Sequence, residues 1–138
     1  MTTEYSKPLP RPVNPELTRP FWEAAKRNEL VLPSCRTCSN VFFYPREVCP
    51  NCLSSDLEWV TASGKGRVYS YTIIYQPVNP AFRDDAPYIY AMIQLDEGPR
   101  MVSNLIDCAN DAVSINMPVV AVFDSVTPDV TLVKFRPA

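Results

Sequence analysis

Two cysteine pairs constrain this chain more tightly than anything else in it: Cys35-Arg36-Thr37-Cys38, then residues 39–48, then Cys49-Pro50-Asn51-Cys52. A C-x-x-C segment folds into a knuckle whose two sulfurs converge on one point, with backbone N–H groups aimed at them. Two knuckles supply four thiolates in a tetrahedral arrangement. The expectation is one structural zinc ion held by Cys35, Cys38, Cys49 and Cys52. Iron in a rubredoxin-like site would use the same four ligands. With every position filled by protein, such an ion is not expected to activate water. The competing readings are a thioredoxin-like redox pair and scattered buried thiols. A redox motif needs a single C-x-x-C in a βαβ setting, which the pattern here does not suggest. The fifth cysteine, Cys108, stands alone after a strand pattern and reads as a buried, unreactive thiol.

Composition narrows the chemistry further. The 138 residues contain no histidine, which removes the commonest general base and the Ser/His and Cys/His nucleophile pairs. The formal net charge is −2, whereas a chain that grips phosphates carries a basic excess, so no nucleic-acid partner is expected. No apolar run is long enough to span a membrane. The opening MTTEYSKPLPRPVNPE lacks the apolar stretch of a signal peptide, and the expected location is the cytoplasm, where paired cysteines read as ligands rather than disulfides.

Periodicity divides the chain into three parts: an arm and helix over 1–29, a ribbon over 30–62 and a barrel over 63–138. Pro8, Pro10, Pro12, Pro15 and Pro20 suggest an extended, semi-rigid arm over residues 7–20, either loose or lying on a partner. A short helix follows, with Thr18 as its cap, Pro20 in its first turn and FWEAAKRNE as its body. Phe21, Trp22 and Ala25 share one face, with Glu23, Lys26 and Arg27 pointing away from it. LVLP (30–33) reads as a strand leading into the first knuckle. From Gly66 the pattern switches to period two, giving strands at 66–75, 87–95, 99–106, 118–123 and 130–135. Asp96-Glu97-Gly98 turns the second into the third, and residues 107–117 have room for one helical turn. Five strands at this spacing suit a closed barrel of the OB type, or a small β-sandwich.

The runs FWEAAKRNELVLPSCRTC, FFYPREVCPNC and LEWVTASGKGRVYSYTII, with the later APYIYAMIQLDEGPRMVSNLI and MPVVAVF, resemble the proteins of domain-of-unknown-function family thirty-five. The resemblance covers residues 20–136. It implies a mainly β protein with an N-terminal helical segment, a rubredoxin-like zinc ribbon and a C-terminal five-stranded OB-fold barrel. It further implies a non-catalytic accessory subunit of a thiolase-type acyl-CoA C-acyltransferase, or of a thiolase-like aldolase. The thiolase-fold catalytic subunit would be the partner, two copies of each subunit the expected assembly, and a coenzyme A thioester the ligand of the complex. Members usually carry Gly after the second and fourth Cys, where this chain has Ser39 and Leu53, and Asn116 stands where Gly is common. Asn40 and Ser54 are then the residues expected to take the special knuckle conformations.

Three function classes compete. An accessory subunit fits the aromatic pattern. Tyr69, Tyr71 and Tyr75 share one face of the first barrel strand. In the second, Tyr88, Tyr90 and Met92 oppose the apolar Ile89, Ala91, Ile93 and Leu95, which places Tyr88 and Tyr90 outside. With Phe21 and Trp22 they are the candidate partner interface, the bland alternative being ordinary cross-strand support. Arg83, the one cation of the 76–86 loop, is the candidate coenzyme A contact; a solvated pairing with Asp84 or Asp85 is the bland alternative. The second class is a zinc-ribbon/OB-fold nucleic-acid-binding module, with aromatics stacking bases. The third is a self-sufficient enzyme using Cys108 or a carboxylate, but the acidic pairs Asp84-Asp85 and Asp96-Glu97 both fall in expected turns and read as solvated.

Overall fold

The computed structural model describes residues 5–138. A 12-residue helix, α1 (Pro15–Lys26), opens the chain. Its N-cap is Asn14, whose side chain accepts a hydrogen bond from the Leu17 N–H at 3.4 Å. Thr18, the cap expected from sequence, instead lies one turn in, and Pro20 lies in the helix interior. Asn14 followed by Pro15 outcompetes it, since an Asx cap before a proline at the first helical position satisfies the open donors one turn earlier. The arm is therefore extended only as far as Asn14, and residues 15–20 of the expected arm are helical. α1 buries Phe21, Ala24 and Ala25, while Glu23, Lys26 and Arg27 are exposed.

Strands β1 (Val31–Cys35) and β2 (Leu57–Thr61) form an antiparallel pair flanking the two knuckles. β2 had no clear signal in the sequence: it is short and half-buried on both faces, so its period of two is weak. β3 (Lys65–Ile74), β4 (Tyr88–Leu95), β5 (Arg100–Leu105), β6 (Pro118–Ser125) and β7 (Thr131–Pro137) close a barrel in the order β3-β4-β5-β7-β6. This is the five-stranded OB-like barrel expected, and the sandwich is set aside. The β4–β5 turn is the expected one, with Gly98 at φ +117° donating to the Leu95 carbonyl. The 76–86 loop holds a 3-10 turn at Pro80–Asp85. Residues 107–117 contain hydrogen-bonded turns, Ala112 N–H to Ala109 and Met117 N–H to Ser114, rather than the helical turn expected.

One apolar core runs through all three parts. Phe21 from α1, Leu30 and Leu32 from the ribbon, and Val68, Ile89, Ala91, Ile93, Leu95, Leu105, Val119 and Phe135 from the barrel form a single cluster. Polar contacts tie the same junction: the Ala62 N–H donates to Leu30 O at 2.7 Å, the Ser63 N–H to Glu97 Oε2 at 2.9 Å, and the Val102 N–H to Tyr44 Oη at 3.3 Å. The ribbon therefore has a fixed place on the barrel.

Gly66 sits where β3 is paired on both sides, opposite Leu95 of β4 and Val119 of β6. A Cβ there would lie 2.5 Å from the Gln94 carbonyl oxygen. That oxygen belongs to the β4 backbone and cannot swing aside as a side chain would. Gly66→Ala is expected to lower stability by about 1–3 kcal/mol, seen as a lower denaturant midpoint at unchanged slope.

Candidate metal centre

The sequence folds each knuckle by the same local pattern. In the first, the Ser39 N–H donates to Cys35 O at 2.8 Å and the Cys35 N–H to Asn40 O at 2.9 Å. In the second, the Leu53 N–H donates to Cys49 O at 2.9 Å and the Cys49 N–H to Ser54 O at 2.8 Å. Each closing turn needs one left-handed residue. These are Ser39 (φ +63°) and Leu53 (φ +65°), not Asn40 and Ser54 as expected from sequence. The turn geometry assigns the strained conformation to the residue directly after the second cysteine of each pair, whatever its side chain. Asn116 is also left-handed, at φ +68°. The Thr37 and Ser54 hydroxyls then meet at 2.9 Å and tie one knuckle to the other. Arg36 reaches Asp56 at 3.4 Å and Glu58 at 3.2 Å, bracing the first knuckle against the approach to β2 and its first residues.

The four Sγ atoms of Cys35, Cys38, Cys49 and Cys52 lie within 4.8 Å of one another. Cys35 to Cys52 is 3.5 Å and Cys38 to Cys49 is 3.6 Å. A tetrahedral ion with metal–sulfur bonds of about 2.3 Å sets its sulfurs about 3.8 Å apart, so the donor set fits such an ion. Cys35 and Cys49 are buried, Cys38 is half-buried and Cys52 is exposed. N–H groups converge on the sulfurs as well. Cys35 Sγ accepts from the Cys38 N–H at 3.5 Å, Cys49 Sγ from the Asn51 N–H at 3.4 Å, and Cys38 Sγ from the Asn51 side-chain amide at 3.5 Å. The Asn40 amide reaches Cys49 Sγ at 3.8 Å. Sequence reasoning did not single out these two asparagines as sulfur partners; their place inside or just after a knuckle was the available signal.

The thiols respond unequally. The Cys38 N–H holds Cys35 below the ordinary thiol range, against the opposing effect of burial. Burial resists ionisation of Cys49, but the N–H groups of Cys52 and Asn51 outweigh it and lower that thiol to about 6. The Ser54 N–H favours the Cys52 thiolate, yet burial and the sulfurs of Cys35, Cys38 and Cys49 push it up to about 12. Four sulfurs this close share their negative charge only when a cation lies among them.

The other candidate residues lie elsewhere. Phe21 is buried and packs against Phe43 of the ribbon with ring centroids 5.6 Å apart. Trp22 packs edge-on to Phe21 at 5.0 Å, half-buried, with its indole N–H buried and without a partner among the described residues. Tyr90 is 46% exposed, and Tyr88 is half-buried. Both tyrosines line a cavity of about 440 Å³ with Tyr5, Lys7, Asn104 and Lys134. Arg83 is exposed and forms no ion pair among the described residues; Asp85 is taken by Lys7 of the arm at 2.6 Å. The arm thus lies on its own barrel, beside Tyr88 and Tyr90. Cys108 is half-buried. No helix among the described residues is long and apolar enough to cross a membrane.

A four-thiol ribbon locked by a common core to a five-stranded barrel defines a zinc-ribbon/OB-fold protein. Residues 22–58 match the family model of the ChsH2 rubredoxin-like zinc ribbon domain, and residues 59–124 that of the ChsH2 C-terminal OB-fold domain. The chain belongs to this ChsH2, or DUF35, family. It is 39% identical over 112 residues to a DUF35 domain-containing scaffold protein of Methanothermobacter thermautotrophicus, covering 80% of this chain and 84% of that one. It is 40% identical over 141 residues to a probable enoyl-CoA hydratase alpha subunit of Thermomonospora curvata; 99% of this chain matches, but it spans only 44% of that relative's length. A 71-residue stretch is 35% identical to the benzoylsuccinyl-CoA thiolase subunit BbsA of Geobacter metallireducens, over 51% of this chain and 46% of that subunit. Among solved structures, one described as an Ltp2-ChsH2(DUF35) aldolase aligns with a TM-score of 0.82 at 40% identity, over 92% of this chain and 98% of that one.

Leu53 is 74% exposed, so its side chain gains little packing to offset a left-handed backbone that costs an L-residue about 1–2 kcal/mol. Leu53→Gly is expected to stabilise the metal-loaded protein by about 1 kcal/mol, measured as a higher thermal midpoint with metal content unchanged.

Proposed function

We propose that this chain is a non-catalytic accessory subunit of a thiolase-type acyl-CoA C-acyltransferase or thiolase-like aldolase, holding the catalytic subunit and shaping acyl-CoA access. The observation that carries this reading is the near end-to-end match to a chain of the Ltp2-ChsH2(DUF35) aldolase, at 40% identity and a TM-score of 0.82. The thiolase-subunit relative supports the same partner class. Relatives with hydratase names are much longer than this chain, so their activity is not assigned to it.

Within that reading, Cys35, Cys38, Cys49 and Cys52 hold one zinc ion that supports the fold and takes no part in chemistry. A site closed by four protein thiolates has no position for water or substrate. Trp22, Tyr88 and Tyr90 are the surface aromatics offered to the catalytic subunit, and Phe21 supports Trp22 from below. The single core shared by helix, ribbon and barrel would transmit a contact at any one of them to the others. Arg83, free of ion pairs among the described residues, would meet a phosphate of coenzyme A. The expected assembly has two copies of each subunit, because a thiolase-fold enzyme is itself a dimer.

Purified protein is expected to carry one zinc per chain by elemental analysis, and Cys35→Ser to loosen residues 30–60 more than the barrel in hydrogen exchange. Stoichiometric iron, or no metal, overturns the zinc assignment.

Co-expression with a thiolase-type catalytic subunit from the same organism is expected to give one complex by size-exclusion chromatography with light scattering. Deleting residues 1–13, which spares the Asn14 cap, should leave the chain folded and metal-loaded but weaken that complex. In the assembled enzyme, Arg83→Ala should raise KM for the acyl-CoA several-fold at unchanged kcat. Two unshifted peaks on co-expression, or acyl transfer by this chain alone, would defeat the accessory-subunit reading.

A further inference from the structure

β3 is longer than the barrel needs. Its Lys65–Arg67 segment pairs with β6 on one side and β4 on the other. Val68 is the last residue tied on the β6 side: its N–H donates to Met117 O at 3.0 Å, and its carbonyl accepts from the Asn116 N–H at 2.7 Å. Beyond a bulge between Val68 and Ser70, the strand runs on to Ile74 with β4 as its one neighbour. Among the described residues, no backbone or side-chain hydrogen bond reaches the other edge of residues 69–75. Roughly half of the N–H and C=O groups of a strand with one neighbour point away from it, a template for another strand.

The composition of this edge is unusual. Residues 69–75 read Tyr-Ser-Tyr-Thr-Ile-Ile-Tyr, with no charge, proline or glycine. Natural edges are blunted by lysine, proline or a covering loop. This one carries the residue types that favour strands most. Tyr69, Tyr71 and Tyr75 are 45%, 38% and 70% exposed, and Ser70 and Thr72 are exposed as well. The nearest charges stand at one end: Arg100 lies over the Tyr69 ring at 3.7 Å, and Arg67 precedes the bulge.

We propose that the free edge of β3 pairs antiparallel with the same edge of a second copy of this chain, about a twofold axis through Thr72. The side chains select this occupant. A twofold through Thr72 places Thr72 opposite Thr72, Tyr71 opposite Ile73, and Ser70 opposite Ile74, all within the regular stretch of β3 beyond the bulge. The first two are Thr–Thr and aromatic–β-branched pairs, cross-strand classes that stabilise antiparallel sheets. The interface is isologous, so it closes at two copies and does not propagate into a fibre. It stands independently of the accessory-subunit reading.

The test uses the full, metal-loaded chain. Sedimentation velocity from micromolar to millimolar concentration should show a monomer–dimer equilibrium, with hydrogen exchange of the 69–75 amides slowing as the dimer fills. Thr72→Lys sets two like charges face to face and should weaken dimerisation on the order of tenfold or more, at unchanged metal content and circular dichroism. Thr72→Val keeps a β-branched residue on the axis and should leave the dimer intact. A chain that stays monomeric throughout, with these amides exchanging freely, overturns the proposal. Protection that arises only when the thiolase-type enzyme is added also overturns it, and assigns the edge to that partner.

Discussion

The rest of the ribbon depends on mutual repulsion among four sulfurs. Cys35, Cys38, Cys49 and Cys52 stand within 4.8 Å of one another, and N–H groups of Cys38, Cys52 and Asn51 favour the thiolates of the two buried ones. The same crowding pushes Cys52 the other way. A divalent cation held among them would resolve the conflict, turning mutual repulsion into attraction toward one centre. The short β1–β2 pair, too small to hold two knuckles by its own ladder, is then closed by the site it flanks.

That closure matters beyond the metal because the ribbon is not a free appendage. Leu30 and Leu32, leading into the first knuckle, lie in the same core as the barrel residues Ile89, Ile93 and Phe135. Phe43, between the knuckles, meets Phe21 of the helix. The buried thiols form a smaller cluster of their own with Phe42 and Leu57, set beside this larger core.

Much of this was legible in the residues. The convergence of the four cysteines, the five barrel strands, the inward set Ile89, Ala91, Ile93 and Leu95, and the exposed Glu23, Lys26 and Arg27 all follow from local spacing. Local spacing was weaker where two local signals competed. Thr18 looked like a cap, but Asn14 before Pro15 starts the helix earlier. Ser39 and Leu53 carry the left-handed conformations because the knuckle turn demands them at that place, even though neither side chain favours it.

What the sequence determined by itself is chemistry carried by short-range pattern: four ligands in two turns, alternating strands, and no histidine to serve as a base. Tertiary structure decided what depends on neighbours far apart in the chain. It laid the proline arm on its own barrel through Lys7 and Asp85, and it turned Phe21 inward onto Phe43. It also ended the β3–β6 ladder at Arg67, leaving the tyrosine-rich half of β3 without a second neighbour. Alternation can say which face of a strand is wet, because that is set by the pleat. It cannot say whether an edge is paired, because that depends on where another strand happens to stop.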